Sequence, residues 1–219
     1  MTMRTLFSTA AAVAALSACG NNPPVPDWQM NAHSSLERAT AAYMGGKDNV
    51  EQNEFTRARR EIASTGKIEL AIRAELARCA SRVAALVFEE CPGFEVLRQD
   101  ATAADVAYAA YLAGRLPAAD AALLPEQHRA AAGAASEVAA GAAVAAVKDP
   151  LSRLVAAGAV LRANRASPEV LTAAVDTASE QGWRRPLLAW LNAQAMRAEK
   201  AGDAESAARL RRRIALASE

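Results

Sequence analysis

Between Ser34 and the C-terminus the apolar positions recur every three or four residues, the spacing of one helix face rather than the alternation of a strand. Ser34 or Ser35 is placed to cap a first helix that turns Leu36, Ala39 and Tyr43 inward, and Gly45-Gly46 stops it. A second helix is expected from Asn49 to Ser64, with Val50, Phe55, Ala58 and Ile62 as its apolar stripe and Gly66 as its terminator. The third begins near Lys67. Its Ile68, Ile72, Leu76, Cys79 and Val83, spaced by four, four, three and four, share one face. Cys91-Pro92-Gly93 closes this region, because a residue preceding proline disfavours the α conformation. After a short piece from Phe94 to Arg98, Thr102 caps a helix carrying Val106, Tyr108, Tyr111 and Leu112. Ala130 to Val147 is nearly all alanine, glycine and valine, which raises the question of a membrane span. Glu137 in its middle would cost about 2.5–3.5 kcal/mol there. The stretch therefore reads as one helix packed through small side chains.

The last third repeats. Leu154, Gly158, Leu161, Val170 and Thr177 align, 37 residues further on, with Leu191, Ala195, Ala198, Ala207 and Ile214. Each unit is expected to be a helical pair: Leu151 to Asn164 then Pro168 to Gln181, and Pro186 to Ala201 then Asp203 to Ala217. Ser167-Pro168 is a cap followed by proline at the first helical position, and Gly202-Asp203 is a stop followed by a cap. Such a period marks helical-pair solenoids. The second unit resembles a tetratricopeptide (TPR) repeat, with Ala195, Gly202 and Ala207 where that family places small residues. It lacks the family's aromatic positions and terminal proline. The expected fold class is thus all-α, built of antiparallel helical pairs as a TPR-like solenoid or an irregular helical bundle. Residues 32–219 form the helical domain, and units 151–182 and 186–217 are expected to superpose.

The N-terminus differs. Arg4 precedes an apolar stretch from Leu6 to Leu16, eleven residues broken only by Ser8 and Thr9. A permanent helical span needs about 20. Leu16-Ser17-Ala18-Cys19 places two small residues before a cysteine, as signal-peptide processing requires. This run resembles the lipobox of bacterial lipoproteins. The resemblance implies that residues 1–18 are removed and that Cys19 carries the lipid that holds the protein on the membrane. Gly20-Asn21-Asn22-Pro23-Pro24-Val25-Pro26 follows as an extended tether within residues 19–31. Glycine rather than aspartate at position 20 is similar to the sorting signal of outer-membrane lipoproteins. The expected address is the periplasmic face of the cell envelope.

Composition sharpens this only modestly. Of the 25 Lys+Arg and 24 Asp+Glu, removal of residues 1–18 takes Arg4 alone, leaving a neutral mature chain. Neutrality offers no electrostatic reason to expect a nucleic-acid partner. Aromatics are 5% of the chain, so alanine-rich helices are expected to pack closely.

Of three cysteines, lipidation of Cys19 leaves Cys79 and Cys91 in an oxidising compartment. Twelve residues of unbroken helix would hold their Cα atoms about 18 Å apart. A disulfide needs less than about 7 Å. A bond therefore requires the third helix to stop near Ala84 to Leu86, so that Val87-Phe88-Glu89-Glu90 turns back along it. The alternatives are two separate buried thiols or a contact to another protein.

Signatures of catalysis are sparse. The chain has no glycine-rich phosphate loop, no Gly-x-Ser-x-Gly elbow and no His-Glu-x-x-His motif, so no catalytic residue, metal ligand or cofactor is assigned. His33 and His128 read as solvated helix residues. Glu89-Glu90 point about 100° apart on a helix and read as charges at a helix end or loop. Glu54, Arg57 and Glu61 suit surface ion pairs along one helix. The cluster Arg209, Arg211, Arg212 and Arg213 suits either anionic lipid or the C-terminal end of a helix dipole. Trp183 and Trp190 are either core or anchors of a binding groove. The leading function is a membrane-anchored interaction or scaffold module for an envelope protein or peptide. The alternatives are an envelope enzyme acting on cell-wall glycan through paired carboxylates, or a passive structural lipoprotein.

Overall fold

A computed structural model describes residues 24–219 and is all-α, with no strand among the described residues. The expected signal peptide, Cys19 and the first part of the expected tether lie outside the described residues. Eleven α-helices follow in order: α1 (Asp27–Met44), α2 (Asp48–Ala63), α3 (Ile68–Ala84), α4 (Pro92–Glu95), α5 (Ala103–Leu112), α6 (Glu126–Gly133), α7 (Glu137–Ala146), α8 (Pro150–Arg162), α9 (Pro168–Glu180), α10 (Arg184–Lys200) and α11 (Ala204–Ser218). Single 3-10 turns lie at Arg98–Asp100 and Ala118–Leu123.

The first helix starts seven residues before Ser34. Pro26 holds an extended backbone at its N-cap, and Asp27 places a carboxylate against the free N–H groups of the first turn. Ser34 and Ser35 are interior residues. Ser34 returns its hydroxyl to the Met30 carbonyl at 2.9 Å, the back-bond that lets serine sit inside a helix. Ser35 is buried and accepts a hydrogen bond from Arg38. The domain thus reaches into the expected tether, whose helical part begins at Asp27.

Helix α3 is packed on α1, α2, α5 and α8, and α8 on α3, α5, α6, α7 and α9. Leu154 to Val160 are seven consecutive buried residues, so α8 is apolar on every side and forms the centre of the main core. Its contact with α3 is close because position 158 is glycine: a Cβ there would lie 2.3 Å from the Val83 carbonyl oxygen. The expected stripes of α2 and α3 are buried except at their first members, Val50 and Ile68, which face solvent at the helix starts. Thr102 forms a full capping box with Asp105 at the start of α5.

The alanine-rich stretch is two helices, a correction to the single helix expected. After Gly133 the chain becomes extended at Ala134, and Ser136 caps α7 by accepting from the Ala139 N–H at 3.1 Å. Among the described residues no helix is long and apolar enough to cross a membrane.

From α8 onward each helix packs on the next. The paired positions fall in matching environments. Leu154 and Leu191, Gly158 and Ala195, and Val170 and Ala207 are all buried, while Leu161 and Ala198 are both half-buried. Only Thr177 and Ile214 differ, the first buried and the second half-buried. Unlike an open stack, α10 also returns to the N-terminal helices: Trp190 Nε1 donates to the Ala84 carbonyl at 3.0 Å, and Arg185 Nε to the Tyr43 carbonyl at 2.7 Å.

Candidate functional site

Cys79 and Cys91 lie at disulfide distance, with Cα atoms 5.7 Å apart. The condition set by helix geometry is met. Helix α3 ends at Ala84, Leu86 takes the left-handed conformation at φ 59°, and the Val87 N–H closes the end by donating to the Arg82 carbonyl at 2.9 Å. Val87 to Glu90 then run back without helix to bring Cys91 beside Cys79. A cavity of about 240 Å³ adjoins the two cysteines, lined by Val87 and Pro92 as well as by the charged Glu75, Arg78, Arg82, Glu89 and Glu90.

The carboxylates of this region are held by arginines. Buried Glu51 receives both Nε (2.7 Å) and Nη2 (3.1 Å) of Arg78, with Arg82 Nη1 at 3.7 Å. Glu75 pairs with Arg59 at 3.2 Å, and Glu90 with Arg115 at 3.1 Å, whose hydrogen bond holds the Glu90 carboxyl below its ordinary pKa. Arginine planes also cover aromatic rings: Arg78 over Phe55, and Arg82 and Arg185 over Tyr43. Glu54 bonds Arg38 across α1 and α2, and Glu61 accepts from Asn31, so the expected pairs along α2 are replaced by pairs between helices.

His128 is a correction. It is 2% exposed rather than solvated, because α6 turns it onto the rings of Tyr108 and Tyr111 at centroid distances of 5.7 and 5.2 Å. The Tyr111 hydroxyl lies 3.5 Å from Nδ1. Burial favours the neutral imidazole and pushes its pKa down to about 4, with the Asp149 charge opposing weakly. Burial likewise raises both tyrosine pKa values. His33 is exposed and stands 3.6 Å from Glu37. Among the described residues, no cluster of three or more His, Cys, Asp or Glu is arranged to hold a metal ion.

The tryptophans resolve into core. Trp190 is fully buried, and its indole N–H closes the end of α3; Trp183 is half-buried against the same core. Neither is among the residues that line the two depressions over α10.

A groove does exist, over the C-terminal half of α10. Two open depressions of about 660 and 540 Å³ adjoin there and share Leu171, Arg197 and Ala201. The first is lined by Leu161, Leu171, Ala193 and Met196 at the junction of α8, α9 and α10. The second runs between α9 and α11, with Leu210 on one wall and Pro168 on the other. Alanines at 193, 198 and 201 give the surface its depth, since no long side chain fills it. Met196 is 65% exposed. The expected arginine cluster is divided by helical geometry: Arg209 and Arg213, four residues apart, face the groove, while Arg211 bonds Glu199 at 2.7 Å and Asn192 at 3.2 Å. No spacing in the sequence marks this groove, because its walls come from four helices that only packing brings together.

Comparison with protein-family models, curated proteins and solved structures finds no match. The site is therefore read from its own residues.

Proposed function

We propose that this chain is a lipid-anchored periplasmic protein of the bacterial cell envelope, held through Cys19 on the outer membrane, whose TPR-like helical domain binds another envelope protein or peptide. The observation that carries the binding half of this reading is the open, apolar-lined groove across α9, α10 and α11. Stacked helical pairs offer such surfaces, and exposed methionine adapts readily to a partner's side chains. The address is supported by Leu16-Ser17-Ala18-Cys19 and by the placement of the other two cysteines at disulfide distance, an arrangement that suits an oxidising compartment.

Crosslinking in intact cell envelopes tests the function. A photoreactive side chain placed at Met196 is expected to give a protein adduct that the same group at Val96, exposed but outside the groove, does not. Equal adducts from both positions, or none from either, would contradict the reading.

A further inference from the structure

The groove's charges identify the chemistry of its occupant. Arg197, Lys200, Arg209 and Arg213 stand along its walls, against a single lining carboxylate, Asp203. That carboxylate is already committed: it accepts the Ser206 N–H at 3.0 Å to cap α11, and this bond holds its pKa below the ordinary value. Among the described residues, Lys200, Arg209 and Arg213 have no carboxylate within ion-pair distance. Arg197 donates to the Ala166 carbonyl at 3.3 Å, and its charge also acts on the Glu169 carboxylate. The contrast within α11 is direct, since Arg211 beside them is bound to Glu199. The whole mature chain is neutral, while this one apolar surface carries four cations beside two carboxylates, the lining Asp203 near Arg209 and Glu169 at the start of α9 near Arg197, so the local excess of positive charge is not a reflection of composition.

We infer that the groove over α10 receives an acidic, amphipathic segment of a partner protein, whose apolar side chains enter the two depressions while its carboxylates meet Arg197, Lys200, Arg209 and Arg213. This rests on the reading of the domain as a protein-binding module. The arrangement favours a protein segment: Leu171, shared by both depressions, is buried, while Arg197, Lys200, Arg209 and Arg213 are exposed around it, so apolar side chains that protrude from a segment reach Leu171 as its carboxylates meet the cations. Charge complementarity then selects the sign of the flanking residues and raises the association rate. Met196 supplies an exposed, adaptable apolar contact beside these cations.

The test uses the purified full-length mature protein and a fluorescent synthetic peptide with leucine at helical spacing and glutamate between, compared with its lysine counterpart. Anisotropy is expected to show at least about tenfold tighter binding of the glutamate peptide, weakening as salt rises. Arg209→Glu with Arg213→Glu is expected to cost a further tenfold or more, while Arg212→Glu, outside the groove, leaves binding within about twofold. Circular dichroism of each variant confirms that it is folded. Equal binding of the two peptides, equal effects of the inner and outer substitutions, or arginine-dependent binding to vesicles of anionic lipid in place of the peptide would overturn the inference. Failure of the envelope crosslinking while the glutamate peptide still binds selectively would remove the proposed cellular role and leave the groove's chemistry standing. Crosslinking at Met196 without selectivity for the acidic peptide would do the reverse.

Discussion

Gly158→Ala sets two physical effects against each other. Glycine in a helix interior is less favourable than alanine by about 1 kcal/mol, so propensity alone says that the substitution stabilises α8. Packing says otherwise. The new Cβ would lie 2.3 Å from the Val83 carbonyl oxygen, 2.9 Å from Val83 Cγ1 and 3.0 Å from the Val83 carbonyl carbon. Ordinary contact begins near 3.4 Å, so the two helices must part by about 1 Å or bend locally. Most of the obstruction is backbone and cannot rotate away. Overpacking of a core costs typically about 1–3 kcal/mol, and the rigid neighbour places this case near the upper end. Subtracting the propensity gain leaves a net loss of about 2 kcal/mol, or a melting point about 4–8 °C lower for a chain of this length. Gly141→Ala is the control, because α7 offers the same propensity gain while its nearest obstruction is the Ser167 hydroxyl at 3.2 Å. It is expected to be neutral or to stabilise by up to about 1 kcal/mol. Urea denaturation with matched m-values measures both. A Gly158→Ala variant as stable as the parent would refute the close α3–α8 contact at the centre of the fold.

Three further outcomes follow from particular residues. Burial lowers the His128 pKa to about 4, so its neutral form contributes stability that is complete above about pH 6.5 and lost as pH falls toward 4. The shift corresponds to about 3 kcal/mol, and His128→Gln is expected to remove that part of the acid limb; an unchanged limb between pH 6.5 and 4 would refute the assignment. Replacing Cys79 and Cys91 together by alanine is expected to cost about 3 kcal/mol in the chain-entropy model, and to abolish the response of stability to reductant that the parent shows. Trp190→Phe leaves the Ala84 carbonyl without its 3.0 Å donor and opens a void in the core, for an expected loss of about 2–3 kcal/mol in the same denaturation assay.

What was legible in the sequence was whatever is decided within a few residues. The stop of α3 before Cys91, the cap at Thr102 and the burial shared by Leu154 with Leu191 and by Val170 with Ala207 all depend on local spacing and turn chemistry. Ser34 misled because serine caps a helix in one context and bonds back to the preceding turn in another, and only the Pro26-Asp27 start decides between them. Ser136-Glu137 carried a cap signal inside the alanine-rich stretch that uniform helix propensity concealed. His128 required knowing that α6 folds onto Tyr108 and Tyr111. The groove was the least legible feature, since Leu171, Met196 and Arg213 belong to three different helices and meet only through tertiary packing.

The central proposal is the tether, because it would place the domain on a membrane surface in an oxidising compartment. Intact-mass measurement of the protein extracted from the membrane fraction tests it most directly. The account predicts a chain that begins at Cys19, lacks residues 1–18, and carries the mass of acyl chains on that residue, with Cys79 and Cys91 together two hydrogens lighter than two free thiols. A mature chain starting at any other residue, or Cys19 without acyl mass, would contradict it.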